Sequence, residues 1–337
     1  MIAMKQSQFK PAWWLPFSHL QTIWPALLRR RNRTIMSELQ HERLELYDGD
    51  FLDLAWLGRE ETGPIVIVMH GFEGSIASHY ALGMLASLKK HGLRSVFMHF
   101  RGCSGTPNRL LREYHSGETA DLAYLVKVLQ EREPHTPLAA VGNSLGGNVL
   151  LKWLGETGGN NPLIAAAAIS VPFELTLAVN RVQRGFSRFY QWYLLNHACK
   201  RLQRKLRHHA GYQEHAKRLK SIKTIVELDE LLTAPLHGFR NAMHYYKEAS
   251  SRQFLRHIKV PTLIVHAKDD PFMTSDIIPD ASELSSYVQL EVSDRGGHLG
   301  FVSGTYPWKP TYWLEERVPR FFLEHMTELE HITEEVS

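Results

Sequence analysis

The sequence has little cysteine, little net charge and no long apolar run. Only Cys103 and Cys199 occur among 337 residues, so no disulfide framework is expected. Since the start of the chain also lacks a signal-peptide pattern, we expect a cytoplasmic protein. The net charge of +4 at pH 7 is too small to indicate a nucleic-acid partner. No apolar run reaches the roughly eighteen residues that a membrane span needs. A hydrophobic content of 44% is nevertheless ample for a globular core.

The most informative stretch is residues 141–147, with the sequence VGNSLGG. It contains the pattern G-x-S-x-G, in which a serine occupies a sharp turn between a strand and a helix. The apolar run 138–141 before it and the helical pattern 148–154 after it supply that context. The flanking glycines leave room for a strained turn, and the free N–H groups of the new helix face the serine. We therefore interpret Ser144 as a nucleophile.

Strand and helix patterns alternate around this stretch. Residues 42–47 and 51–56 form a predicted antiparallel hairpin around a DGD turn. Continuous apolar runs, typical of parallel strands buried on both faces, occur at 64–69, 94–100, 138–141, 164–171, 261–266 and 287–292. Helical patterns occur at 81–91, 118–133 and 313–330. The alternation predicts an α/β fold with a mostly parallel sheet flanked by helices.

Two other predicted strands end in residues that could work with the serine. Asp270 follows the strand at 261–266, and His298 lies in a glycine-rich loop after the strand at 287–292, with room to reach Ser144. The chain order serine, acid, histidine is the order found in one class of serine hydrolases. We interpret Ser144, Asp270 and His298 as a catalytic triad.

A second loop, HGFEG at residues 70–74, follows the predicted strand at 64–69. A loop in this position supplies one N–H group to the oxyanion of a serine hydrolase, and the residue after the nucleophile supplies another. We therefore predict that the backbone N–H groups of Phe72 and Leu145 form the oxyanion hole. His70 is interpreted as a buried histidine bonded to the backbone.

At these motifs the sequence resembles the α/β-hydrolase superfamily and, more narrowly, the bacterial YheT-like hydrolases. The likeness spans about residues 40–320, and the motifs that carry it are HGFEG at 70–74, RGCSG at 101–105, GNSLGG at 142–147 and GGH at 296–298. The resemblance implies an α/β-hydrolase fold. It also implies an esterase related to eukaryotic acyl ethyl ester synthases and phospholipid-acting hydrolases. Between residues 173 and about 257 the alternation of strands and helices stops and the composition becomes helical, aromatic and basic, so we expect an inserted cap there.

The same resemblance bears on the choice between two adjacent carboxylates. Asp270 stands immediately before Pro271 and nine residues after Pro261, which is similar to the spacing of the family's acid. Asp269 is expected to bond loop N–H groups instead. We therefore choose Asp270 as the residue that orients His298.

We expect a hydrolase core at residues 1–172 and 258–337, interrupted by a helical cap at residues 173–257. The expected function is a serine carboxylic-ester hydrolase that acts on small acyl or lipid-like esters through an acyl-enzyme, with no cofactor and no metal. An acyltransferase or ester synthase with the same triad is the first alternative, and a non-catalytic ligand-binding module is the second. No pattern in the chain indicates an oligomeric state.

The N-terminal segment leaves two interpretations open. Its apolar and aromatic residues at 13–28 are followed by Arg29, Arg30, Arg31 and Arg33. We favour a helix packed on its own domain. The alternative is a segment that lies on an anionic bilayer.

The expected cap is strongly basic, with twelve Lys or Arg but only one acid, Glu214, between residues 181 and 223. We favour a solvated helix face, with attraction to an anionic substrate or membrane surface as the alternative. Its aromatic residues are predicted either to line an acyl pocket or to form the core of the cap; they are Phe186, Phe189, Tyr190, Trp192 and Tyr193. The histidines at 208, 209 and 215 lack the further ligands of a metal site.

Overall fold

The structure is a computed structural model that describes residues 4–29, 32–207 and 209–336, with side chains described as far as Met326. Arg30, Arg31 and His208, which the sequence analysis considers in two basic segments, lie outside the described residues.

Nine of the described strands form one sheet. The strands are β1 Met4–Gln6, β2 Gln40–Glu45, β3 Phe51–Leu57, β4 Ile65–Met69, β5 Arg94–Met98, β6 Leu138–Asn143, β7 Ala165–Ile169, β8 Thr262–Ala267, β9 Val288–Ser293, β10 Val302–Tyr306 and β11 Lys309–Tyr312. The order in the sheet is β1-β9-β8-β7-β6-β4-β5-β3-β2, while β10 and β11 form a separate antiparallel pair. Only the pairings of β3 with β2 and with β5 are antiparallel within the sheet. The prediction of a mostly parallel sheet is confirmed.

Helices cover both faces of the sheet. They are α1 Ser18–Leu28, α2 Arg33–Glu38, α3 Ala81–Lys90, α4 Ala120–Arg132, α5 Leu145–Thr157, α6 Leu175–Val182, α7 Ser187–Leu206, α8 Gln213–Arg218, α9 Ile225–Leu228, α10 Ala234–Leu236, α11 Ala242–Ala249 and α12 Leu314–Val336. A π-helical turn at Asp229–Thr233 joins α9 to α10. Shorter 3₁₀ turns occur at Gly158–Asn160, Arg252–His257, Ser275–Ile277 and Ala281–Glu283. Helices α6 to α11 all lie between β7 and β8 in the chain.

Strand β4 illustrates why the apolar runs become central strands. All five of its residues are buried, and alternate side chains point to opposite faces of the sheet. Ile65, Ile67 and Met69 join a core with residues of α4 and α5, whereas Val66 and Val68 join a core with residues of α3 and α12. A continuous apolar run is needed because both faces of this strand are covered.

Two parts of the architecture are absent from the sequence prediction. Strand β1 runs parallel to β9 at the edge of the sheet, although its three residues are polar or exposed. The pair β10 and β11 follows the loop that contains His298. Neither shows an alternating or continuous apolar pattern, because backbone hydrogen bonds hold these strands and Val302 is the one fully buried residue among them.

A buried arginine ties the β2–β3 turn to the helical layer. Arg101, in the loop after β5, donates two hydrogen bonds to Asp121 of α4, at 2.8 and 2.6 Å. It also donates to Asp48 at 2.8 Å and to Asp50 at 3.1 Å. Burial opposes ionisation of the guanidinium, but the hydrogen bonds and charges of Asp121 and Asp48 outweigh it and raise the pKa of Arg101. The side chains of Arg101, Asp50 and Asp121 are fully buried.

We expect Arg101→Met to lower the free energy of unfolding by about 3–5 kcal/mol, because it leaves buried carboxylates without their counter-ion. The matched control is Arg109→Met, which removes a surface pair with Glu45 in which the side chains are 46% and 61% exposed. That change should cost less than about 1 kcal/mol. Urea unfolding monitored by circular dichroism measures the free energy of unfolding of both variants. Equal losses would contradict the stabilising role of the buried Arg101 ion pairs.

Candidate active site

Ser144 occupies a strained position between β6 and α5. Its backbone angles are φ 52° and ψ −117°, a region that residues with side chains rarely adopt. A side chain on Gly142 would overlap the carbonyl group of Gly146, and a Cβ on Gly146 would lie 2.5 Å from the carbonyl oxygen of His70. The two glycines are therefore required by close backbone packing around the turn.

The structure brings Ser144, His298 and Asp270 into one hydrogen-bonded line. Nε2 of His298 lies 3.0 Å from Oγ of Ser144, and Nδ1 lies 2.8 Å from Oδ2 of Asp270. The side chains of His298 and Asp270 are almost completely buried, at 9% and 1% exposed. All three residues follow the carboxyl ends of parallel strands, which meet at the same edge of the sheet.

The two adjacent carboxylates have different partners. Oδ1 of Asp270 accepts the N–H of Phe272 at 2.8 Å, so the carboxylate that faces His298 is fixed on both sides. Oδ1 of Asp269 accepts the N–H of Gly297 at 3.0 Å. Burial raises the pKa of Asp269, although loop hydrogen bonds oppose the shift. The geometry agrees with the expectation that Asp269 bonds loop N–H groups.

The loop after β4 runs beside the serine, since a Cβ on Gly71 would lie 3.1 Å from Cβ of Ser144. On either side of Phe72, the N–H of Gly71 donates to the hydroxyl of Tyr80 and that of Glu73 donates to the hydroxyl of Tyr114, both at 2.9 Å. Among the hydrogen bonds of the described residues, none uses the N–H of Phe72 or of Leu145. Both predicted oxyanion donors therefore remain available to a ligand.

His70 forms a support beneath this loop. Its Nε2 accepts the N–H of Phe100 at 3.1 Å, so its proton resides on Nδ1, which donates to the carbonyl oxygen of Gly71 at 2.6 Å. Burial lowers the pKa of His70 to about 3. The residue is thus a neutral, backbone-bonded histidine, as the sequence interpretation has it.

A buried ion-pair network connects the same loop to α7. Arg201 donates to Glu73 at 3.0 and 3.1 Å and also pairs with Glu113, which in turn pairs with Lys205. Burial opposes the charge of Arg201, but Glu113 and Glu73 outweigh it and raise the pKa of the guanidinium. The prediction of a solvated basic face is therefore wrong for Arg201 and Lys205, because both point into the protein toward acids that lie far away in the sequence.

Aromatic rings cover one side of the histidine. Phe272 stacks on His298 with ring centroids 4.1 Å apart, and Tyr190 of α7 stacks on Phe272 at 4.8 Å. Tyr190 is buried, but about half of each of four neighbouring side chains is exposed; these are Phe186, Phe189, Trp192 and Tyr193. Of the two alternatives left open by the sequence, a place in the core of the cap is therefore excluded for these four residues. That core consists of Leu195, Ala198, Leu202 and the residues packed on them.

In the part of the chain that the structure describes, one group has the donor atoms for a metal ion, namely His115, Glu118 and His237. Glu118 already accepts a hydrogen bond from the guanidinium of Arg112 at 2.6 Å. Nδ1 of His115 accepts the N–H of Gly117, so the proton of this neutral ring resides on Nε2. Because the charge of Glu118 is neutralised by Arg112 and the Nε2 atom of His115 carries a proton, we assign no metal to this group. His209 and His215 are not part of it.

Comparisons with known proteins concern the family and the fold of the chain. The model of a family described as the alpha/beta hydrolase fold matches residues 64–305. The chain is 44% identical over 312 residues to a protein of Escherichia coli (strain K12) named "Putative esterase YheT", with 91% of each chain covered. It is 29% identical to the phospholipase ABHD3 of Mus musculus, covering 87% of this chain and 73% of that one.

The fold also matches that of a solved structure, the esterase Pf2001 of Pyrococcus furiosus. The TM-score is 0.60 at 19% identity, with 88% of this chain and 94% of that chain covered. This similarity supports the fold alone. Together with the family match, it confirms the resemblance found in the sequence.

Helix α1 lies outside residues 64–305, which the family model matches. It nevertheless holds the loop that contains His298. Oγ1 of Thr22 accepts the N–H of His298 at 3.0 Å. The side chain of Gln21 accepts the N–H of Val302 at 2.8 Å and donates to its carbonyl oxygen at 3.0 Å. A Cβ on Gly297 would lie 2.6 Å from Oγ1 of Thr22. The glycine-rich loop therefore has a second role that the sequence analysis missed, which is to let α1 approach.

We expect Thr22→Val to lower kcat about 3- to 10-fold and to leave KM nearly unchanged. Valine has the same shape but cannot accept the His298 N–H, and a hydrogen bond of this kind is worth about 1 kcal/mol. Thr22→Ser keeps the hydroxyl and should retain most of the wild-type kcat. Steady-state kinetics on a soluble ester measures both variants, and a wild-type kcat for Thr22→Val would refute a positioning role.

Proposed function

The chain belongs to the α/β-hydrolase fold family and is an ester-hydrolysing enzyme, and from this premise we propose that it is a serine carboxylesterase with the triad Ser144, His298 and Asp270. The observation that carries the proposal is the hydrogen-bonded line through these side chains, with distances of 3.0 and 2.8 Å. Nucleophilic acyl transfer needs this arrangement, because a base must reach the nucleophile while a third group orients the base.

In the first half of the reaction, Oγ of Ser144 attacks the ester carbonyl while Nε2 of His298 takes its proton. Asp270 holds the other ring nitrogen and stabilises the imidazolium. The N–H groups of Phe72 and Leu145 donate to the oxyanion, each worth about 3–4 kcal/mol of barrier. The intermediate then collapses, and the alcohol leaves with the proton from Nε2.

In the second half, His298 removes a proton from water, which attacks the acyl-enzyme at the same carbonyl carbon. The acid is released, and the proton returns to Ser144. The three side chains and the two backbone N–H groups supply every protein group that the cycle needs, and water is the second reactant, so the proposed mechanism uses no cofactor.

We propose small acyl or lipid-like esters as substrates. The stacked rings of Phe272 and Tyr190 give the side of the site next to His298 an apolar surface suited to an acyl chain. The name of the mouse relative, a phospholipase, supports the lipid-like class.

We also propose that residues 173–257 act as a cap over this site, with the hydrolase core at residues 1–172 and 258–337. The support comes from α7, which reaches the site twice. Tyr190 stacks on Phe272, and Arg201 pairs with Glu73 beside the proposed oxyanion donor.

We expect Ser144→Ala to lower kcat for ester hydrolysis by at least about 10⁴-fold, because the attacking hydroxyl is lost. A fluorophosphonate probe should label the wild-type enzyme and not this variant. Ser221→Ala, a change at an exposed serine of the cap, should keep both activity and labelling. A wild-type protein that binds esters but neither hydrolyses them nor takes up the probe would favour a ligand-binding module instead.

We expect Asp270→Asn to lower kcat by as much as about 10⁴-fold, because an amide favours the wrong tautomer of the imidazole. Asp269→Asn provides the matched control, since its Oδ1 can still accept the Gly297 N–H, and it should cost less than about tenfold. Both variants need a cooperative unfolding transition before their kinetics are compared. A larger loss for Asp269→Asn would reverse the assignment of the acid.

A further inference from the structure

A row of exposed aromatic side chains lies where α1 and α7 meet. We call it the aromatic face, and its members are Phe186, Phe189, Trp192 and Tyr193 of α7 and the residue before it, with exposed fractions between 49% and 59%. Phe17 and Leu20, which flank His19 in the chain, are also exposed. His19 joins the two helices, because its ring lies 4.7 Å from the ring of Phe186 and its Nδ1 is 2.9 Å from the hydroxyl of Tyr190. Exposed apolar side chains that lie together in a group often mark interaction sites.

The aromatic face is continuous with the proposed active site. Outside the site, Trp192 contacts Phe189 and Phe189 contacts Phe186, with ring centroids 5.8 Å apart in each pair. Phe186 lies 5.8 Å from Tyr190, which stacks on Phe272. Phe272 then stacks on His298. A continuous series of aromatic ring contacts therefore runs from the protein surface to the imidazole beside Ser144.

The segment that carries the aromatic face has charged side chains of one sign. No Asp or Glu occurs between residues 175 and 213. Five exposed cations occur there, and within the described residues none of them forms an ion pair; they are Arg184, Arg188, Lys200, Arg204 and Arg207. Arg201 and Lys205 of the same helix are turned inward and neutralised by Glu73 and Glu113. The outer side of α7 is thus cationic without compensation.

We propose that the aromatic face docks on an anionic phospholipid surface and that the enzyme draws its ester substrate from that surface. The inference rests on the proposed function and adds the place from which the substrate is taken. Aromatic rings insert at the depth of lipid headgroups, and nearby cations bind the phosphates. None of the described helices has both the length and the apolar character to cross a bilayer.

An anionic lipid surface accounts for both the exposed aromatic rings and the unpaired cations of α7. A second copy of the chain would bring the same uncompensated cations together, which repel one another. The series of aromatic contacts also ends at His298, so a lipid surface that covers Phe186 and Phe189 lies close to the proposed active site.

The binding experiment uses full-length Ser144→Ala, which cannot degrade the vesicles. Cosedimentation is measured with vesicles of phosphatidylcholine alone and with vesicles of phosphatidylcholine and phosphatidylglycerol in equal parts. We expect binding to the mixed vesicles that weakens as salt is added, and little binding to phosphatidylcholine. Equal binding to both vesicle types, or binding to neither, would overturn the proposal.

Two pairs of substitutions, each added to Ser144→Ala, test whether the aromatic face is the surface that contacts lipid. Arg188→Glu should weaken vesicle binding at least about tenfold, since each cation near an anionic surface contributes about fivefold. Trp192→Gln should also weaken it strongly. The matched controls are Lys259→Glu and Tyr287→Gln, exposed residues near the amino ends of β8 and β9, at the opposite edge of the sheet. Equal losses in the controls would place the lipid contact elsewhere.

Hydrolysis of p-nitrophenyl acetate, which needs no surface, separates this proposal from the proposed function. With Ser144 intact, Arg188→Glu should hydrolyse this soluble ester at the wild-type rate. Vesicle binding by a wild-type protein that cannot hydrolyse the ester would defeat the proposed function alone. Hydrolysis without vesicle binding, or light scattering that shows a dimer formed through Trp192, would defeat the docking proposal alone.

Discussion

The line from Asp270 through His298 to Ser144 depends on one backbone constraint, the positive φ of 52° at Ser144. Such a conformation costs on the order of 1 to 3 kcal/mol and persists only where its surroundings fix it. The N–H of Ser144 is held by the carbonyl oxygen of Ile169 on the next strand, at 2.8 Å, and α5 begins immediately after it. The central sheet therefore holds the hydroxyl at the edge where the loops carrying Asp270 and His298 emerge.

Two helices that are distant from Ser144 in the sequence fix the loops around it. Helix α1 holds the histidine loop through Thr22, and α7 holds the loop of Phe72 through the pairing of Arg201 with Glu73. The proposed site is thus supported from two sides by segments that contribute no member of the proposed triad. Precise placement of a reacting group requires such support, because the hydroxyl and the imidazole must meet within hydrogen-bond distance.

The sheet and the three residues of the line could be predicted because their signals are local. A strand covered on both faces must be apolar throughout, and a strained serine turn needs glycine on either side. Strand β1 and Thr22 give no such signal. The first is held by backbone bonds to β9, and the second contacts a residue 276 positions away. The inward direction of Arg201 could not be predicted either, because Glu73 and Glu113 become its neighbours only in the folded chain.

The buried network of Glu73, Arg201, Glu113 and Lys205 also limits how the site can move. If α7 swung outward as a hinged lid, two acids and two cations would have to separate across a region from which water is largely excluded. Separating paired charges there costs several kcal/mol, so the hinge would open rarely. Rotation of the exposed side chains at the amino end of α7 breaks no ion pair. Rearrangement at the outer end of the aromatic series should then come from rotation of exposed side chains such as Phe186 and Phe189, which is fast, rather than from a slow movement of the whole helix.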